Sequence, residues 1–142
     1  MMDPVGAGDV SGDTRREGEP IALLGIDHVQ VAAPPGSEGQ ARSFYGDLLG
    51  LRELRKPDAL RARGGVWFEC GAQQLHVGIA EPFSPASKAH PALAVAAGDL
   101  HRLAARLADA GCAVGWDDAI AGTRRFFTAD PWGNRIELVE PS

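Results

Sequence analysis

Chemically distinctive residues recur along this chain at a nearly constant separation. His28 and His90 lie 62 positions apart, Gly50 and Gly111 lie 61 apart, and His76 and Glu137 again lie 61 apart. In both copies 26 residues run from the glycine to the final member of the set. A register kept that closely argues for one supersecondary unit used twice. It places three histidines and a carboxylate at equivalent points of two similar halves, so a pseudo-twofold metal cavity is the starting expectation.

The residue pattern gives each half the same order of elements. IDHVQVA at 26–32 reads as a strand, with Val29 and Val31 on one face and His28 and Gln30 on the other. After Pro34-Pro35, Ser37 and Gln40 have the spacing of a capping box, and Ala41, Phe44, Tyr45 and Leu48 recur at helical period until Gly50. Strands are expected near 51–55, 65–70 and 73–79, with KPDALRARGG as a polar loop. The second copy opens with HPALAVA at 90–96, and Asp99 can cap a helix striped by Leu100, Leu103, Ala104 and Leu107 that ends at Gly111. CAVGW, TRRFFTA and NRIELVE are the remaining strands, the last two joined across the tight turn DPWGN.

The fold class that follows is α+β: two tandem β-α-β-β-β modules, about 25–80 and 90–140, forming an open barrel-like mixed sheet around a central cavity. EPFSPASKA at 81–89 reads as a linker, and residues 21–142 as a single domain. Residues 1–20 offer almost nothing to bury and predict a disordered tail without chemistry.

A chain of 142 residues can bury a core of its own, and its net charge of -5 argues against nucleic acid as the main partner. Arg52, Arg55, Lys56, Arg61 and Arg63 nevertheless cluster, as solvated loop charge or as an anion-attracting rim. Cys70 and Cys112 are too far apart in sequence for a C-x-x-C motif and read as buried, reduced thiols. With no signal-peptide pattern and no membrane-spanning run, the expected compartment is the cytoplasm.

Strand alternation tests the cavity, because all ligands must share one face. His76 alternates with Leu75 and Val77, His90 with Leu93 and Val95, and Glu137 with Ile136 and Leu138. A lone histidine on a strand is usually structural, but four such donors at equivalent places argue for a cation, which also explains a carboxylate inside a sheet. His28, His76, His90 and Glu137 are therefore the expected ligands of a divalent ion such as Zn, Ni, Co, Fe or Mn. Gln30 and Arg125 share that face and suggest substrate contacts, and Trp67 and Phe127 could wall the cavity. Tyr45 reads as core, and His101 as a surface residue.

DHVQVA with FYGDLLGL, the opening HPALAVAAGDL of the second half and the ending DPWGNRIELVE resemble the vicinal oxygen chelate superfamily, from about Gly25 to Glu140. That superfamily groups glyoxalase I, fosfomycin-resistance thiol transferases, bleomycin-resistance proteins and extradiol dioxygenases. The resemblance implies paired modules around a divalent metal, with ligands at His28, His76, His90 and Glu137.

It also implies an open metal site that binds vicinal oxygens of a small, possibly anionic substrate and stabilises an enediolate-type anion, in a lyase or isomerase of glyoxalase type. Glu137 would then be both ligand and catalytic base, and a homodimer is expected. Two departures bear on the glyoxalase reading: bacterial glyoxalase I has glutamate at the His76 position and an arginine shortly after its first ligand, where this chain has Gln30, Val31 and Ala32. An extradiol dioxygenase would use His28, His90 and Glu137, leaving His76 free as an acid-base residue, and a thiol transferase would share that His, His, Glu triad and want a basic site for a phosphonate. A bleomycin-resistance-like binding protein would lack the ligands altogether.

Overall fold

The computed structural model describes residues 17–141. Most of the expected N-terminal tail, residues 1–16, lies outside the described residues. Two four-stranded sheets carry the fold. In the first module β1 (His28–Ala33), β2 (Arg52–Leu54), β3 (Val66–Cys70) and β4 (Gln73–Ile79) assemble in the order β1-β4-β3-β2. In the second, β5 (Ala92–Ala94), β6 (Gly115–Asp117), β7 (Arg125–Ala129) and β8 (Arg135–Val139) repeat that order as β5-β8-β7-β6. Each module's first strand lies parallel to its last, and the other pairings are antiparallel. The architecture is thus the expected pair of β-α-β-β-β modules, with the sheets left open. Among the described residues no helix is long and apolar enough to cross a membrane.

Helix α1 (Glu38–Ala41) runs on into a π-helical stretch, Arg42–Leu48, that buries the consecutive rings of Phe44 and Tyr45. Gly50 ends it with φ +77°, and Gly111 ends α3 (Leu100–Asp109) with φ +85°, left-handed values that glycine adopts without steric cost. Alternation along the strands fills the core. Val31 and Ala33 of β1, Val66 and Phe68 of β3, Leu75 and Val77 of β4, Phe126 of β7, and Ile136 and Leu138 of β8 are all buried with Tyr45, Leu100 and Leu107 in one cluster. A fully buried side chain of this kind contributes about 1.5–3 kcal/mol.

Both helices sit on this core, and polar bonds tie the modules across it. Arg106 donates to the Leu48 carbonyl (3.2 Å), Tyr45 to the Asp130 carboxylate (2.7 Å), and the Asn134 side chain to the Ala32 carbonyl (2.8 Å). A shared core on the helical side leaves the polar faces of the two sheets on its outside. Cys70 and Cys112 are free thiols, partly buried, and burial pushes both pKa values up.

Several local expectations are corrected. The Ser37–Gln40 capping box does not form: Ser37 has φ -96° and ψ 3°, outside the extended region an N-cap adopts, so its hydroxyl makes no cap bond. Gln40 instead accepts a hydrogen bond from the Trp132 indole (2.9 Å). Asp99 likewise makes no side-chain cap, and its carboxylate holds Arg102 (2.9 Å). The expected loop KPDALRARGG contains a short helix, α2 (Asp58–Arg61). The strand expected over 90–96 shrinks to Ala92–Ala94, because its alanines offer little side chain to pack.

The chain leaves α2 through Gly64 and Gly65, with φ +75° and +88°. A Cβ on Gly65 would stand 2.3 Å from the Val77 carbonyl oxygen, a backbone atom that cannot swing aside. Gly65→Ala is therefore expected to cost about 2–4 kcal/mol, from left-handed strain plus the clash. Urea unfolding checks this; an unchanged midpoint would mean that the α2 segment is not held against β4.

Candidate metal centre

The four expected donors come as two pairs, one on the polar face of each sheet. On the first sheet, register sets Gln30 and Trp67 on either side of His76. The His76 ring is sandwiched: His28 stacks on one side with centroids 4.3 Å apart, and Trp67 on the other at 3.9 Å and 4°. His76 is 5% exposed. Burial and then the neighbouring His28 hold its pKa below the ordinary imidazole value, which favours the neutral form that a metal ligand requires. Its Nε2 meets Gln74 Oε1 (2.8 Å), and His28 Nδ1 meets Asp27 Oδ1 (2.8 Å). These bonds occupy one nitrogen of each ring and orient the other.

On the second sheet, His90 Nε2 lies 2.9 Å from Glu137 Oε1, while its Nδ1 lies 2.9 Å from the Lys88 carbonyl oxygen. A backbone carbonyl on the far nitrogen fixes the ring so that Nε2 faces the carboxylate. Glu137 is 7% exposed, and its other oxygen accepts from Arg125 Nη1 (3.3 Å). Arg125 also donates to Asp117 Oδ1 (3.1 Å), and its buried Nε has no partner among the described residues. The Asp117 pKa is lowered by the Ala119 N–H and then by Arg125. Phe127, opposite Glu137 in register, meets the His90 ring edge-on at 5.3 Å and carries the Arg135 guanidinium 3.9 Å above its own ring.

Among the described residues no group of three or more His, Cys, Asp or Glu is placed to hold a metal ion. The sequence leaves open whether one chain or two complete the site; within the described residues of one chain His28 pairs with His76 and His90 with Glu137, without a common centre. The reason is the shared core, which puts the polar faces outside it. Imidazole nitrogen and carboxylate oxygen remain the right donor chemistry for a borderline divalent ion, but two donors are too few for a tight site. The donor set fits a metal only where two such faces meet. A groove of about 790 Å³ between α1 and the Gly111 turn offers no alternative, because its carboxylate, Asp130, is bonded to Tyr45 and Asn134.

Sequence reasoning missed Gln74, Asp117 and Arg135. Arg135 was within reach, since it stands two residues before Glu137 on the same strand face. Asp117 ends a three-residue strand too short to show alternation. His101, expected at the surface, is exposed beside Trp116.

Comparison with known proteins agrees with this architecture. The family model described as the Glyoxalase/Bleomycin resistance protein/Dioxygenase superfamily matches residues 25–138. A glyoxalase family protein from Bacillus anthracis is 45% identical, with a TM-score of 0.81 over 87% of this chain and 99% of that one. Two more distant structures share the fold. Lactoylglutathione lyase from Agrobacterium tumefaciens has a TM-score of 0.63 at 20% identity, over 83% of this chain and 94% of its own. A fosfomycin resistance protein from Listeria monocytogenes has a TM-score of 0.68 at 12% identity, over 85% and 96%. A comparison with curated proteins finds no match. With its paired modules and a family match over most of its length, the chain belongs to the Glyoxalase/Bleomycin resistance protein/Dioxygenase superfamily.

Proposed function

We propose that this protein is a divalent-metal-dependent lyase or isomerase of glyoxalase type, acting as a homodimer on a small molecule. The carrying observation is the division of its donors into two adjacent pairs, His28 with His76 and His90 with Glu137, on the outer faces of two like-ordered sheets. Two half-sites of this kind are completed by a twofold pairing in which the first sheet of one chain faces the second sheet of the other. The ion these four residues would hold supplies charge that polarises substrate oxygens and eases loss of the proton from the adjacent carbon.

The rest of the chemistry lies with the side chains. Glu137 is the base: Arg125 holds Oε2 in place, and Oε1, which lies 2.9 Å from His90 Nε2, would take and return the proton by loosening from its ligand role. Trp67 and Phe127 wall the site and exclude water, and Gln30, opposite His76, is placed to bond a substrate oxygen.

Removing one donor is the direct test. Glu137→Ala, His90→Ala and His28→Ala should each lower zinc affinity by about 100-fold or more, measured by isothermal titration, with the circular dichroism spectrum retained. Unchanged affinity in the Glu137 and His90 variants would remove both from the metal's ligands and end this reading.

A further inference from the structure

Among the described residues most cations are matched to acids. Arg42 pairs with Glu53, Arg52 with Glu69, Arg55 and Arg61 with Asp58, and Arg125 with Asp117 and Glu137. Among the described residues five cations have no carboxylate within ion-pair distance: Lys88, Arg106, which bonds the Leu48 carbonyl, Arg135, which lies over the Phe127 ring, and Lys56 and Arg63, which stand together. Both line one cavity of about 250 Å³ at the end of the first sheet, together with Gln30, Trp67 and Gly78.

That cavity adjoins the donor pair. Trp67 is common to both, forming one wall of the cavity and stacking on His76 at 3.9 Å. Gln30, Trp67 and Gly78 share the polar face by strand alternation. Glycine at 78 leaves space that the Gln30 side chain crosses: a Cβ there would stand 2.7 Å from Gln30 Cδ. The mouth is fixed as well. Lys56 Nζ donates to the Gly64 carbonyl, and the Gly65 N–H donates to Glu38 Oε2 (2.8 Å), so the α2 segment is held over the sheet. The result is a small, mixed polar and apolar recess beside a metal-type donor pair, bearing one amide and two cations: Arg63, and Lys56, whose charge the nearby Glu38 carboxylate feels without forming an ion pair with it.

We infer that this recess is the subsite for an anionic tail, and that the substrate is a small oxygenated organic acid. Its head would lie at the His28–His76 face while its far carboxylate lies against Lys56, Arg63 and Gln30. The inference rests on the proposed function for the position of the head, and adds to it the charge and placement of the tail. A carboxylate between two cations and an amide N–H forms charge-assisted hydrogen bonds, which a neutral tail of the same length cannot make.

Titration calorimetry with 2-oxoglutarate and 2-oxopentanoate compares the same head with and without a distal anion, on the full-length protein both zinc-loaded and metal-free. Wild-type protein should prefer the diacid by ~10-fold or more. The preference should fall to within about twofold in Arg63→Met and in the Lys56→Met, Arg63→Met double variant, and return in Arg63→Lys. Arg63 is exposed, so its replacement leaves the fold intact even where loss of the Lys56 bond loosens α2. Zinc affinity, measured separately, should be the same in all of these variants. Equal binding of the two acids by wild type, binding of neither, or a preference that survives Arg63→Met and the double variant would overturn the inference. Wild-type protein that takes no zinc would instead end the metal reading, and the diacid preference of the metal-free protein would still decide this one.

Discussion

Mixed under conditions that exchange subunits, His76→Ala and Glu137→Ala chains should regain about one quarter of wild-type zinc capacity, although neither binds zinc tightly alone. Each variant spoils a different sheet, so a heterodimer holds one site with both lesions and one with none. Random exchange makes about half of the dimers heterodimers, each with one intact site of two, hence about one quarter of all sites. A pair of variants on the same sheet, His28→Ala with His76→Ala, should regain nothing. The prediction follows from the geometry of one chain: His28 and His76 stack at 4.3 Å, His90 and Glu137 meet at 2.9 Å, and no third donor joins either pair among the described residues. Zinc measured by plasma mass spectrometry after gel filtration reads the outcome. Failure to recover capacity when labelled chains demonstrably exchange would place the site within one chain or abolish it.

How the donors divide was only half legible in the sequence. Period-two alternation told which face of each strand is polar, because Leu75 and Val77 flank His76 and Ile136 and Leu138 flank Glu137, and all four are buried as that pattern requires. The 61-residue repeat told that the modules would be alike, and the two sheets have the same strand order. What alternation does not encode is which way a polar face points once two modules share a core. That depends on contacts between distant residues, such as Arg106 with Leu48 and Tyr45 with Asp130, and nothing local marks them. His90 shows a milder failure. It precedes β5, yet it reaches Glu137 because its ring is held by the Lys88 carbonyl just upstream. The α2 segment was missed for a related reason: a single helical turn has no apolar stripe, and what fixes it are the Lys56 and Glu38 bonds to the Gly64-Gly65 backbone.

Asp130→Ala should destabilise the protein by about 3–5 kcal/mol, more than any single hydrogen bond is worth, because one buried carboxylate organises the whole DPWGN turn. Its Oδ1 accepts from the backbone N–H groups of Trp132 (3.1 Å) and Asn134 (2.9 Å). Oδ2 accepts from the Asn134 amide (2.8 Å) and from the Tyr45 hydroxyl (2.7 Å), 85 residues away. Burial, and then the same carboxylate, push the Tyr45 pKa far above its ordinary value, so the phenol stays a donor throughout the neutral range. Asn134 in turn bonds Ala32 and accepts from the Ala86 N–H (2.9 Å), so the turn ties β8 to β1 and to the linker. Removing the carboxylate strands several buried donors at once, each at about 1–3 kcal/mol before the site relaxes. Tyr45→Phe removes a donor and its acceptor keeps other partners, so it should cost about 1–2 kcal/mol. In the double variant the losses should not add, since Asp130→Ala has already deprived the tyrosine of its partner. Urea unfolding of the four proteins gives the cycle. Full additivity, or an Asp130→Ala cost no greater than that of Tyr45→Phe, would show that the turn holds its shape without the carboxylate and that the modules are joined by their apolar core alone.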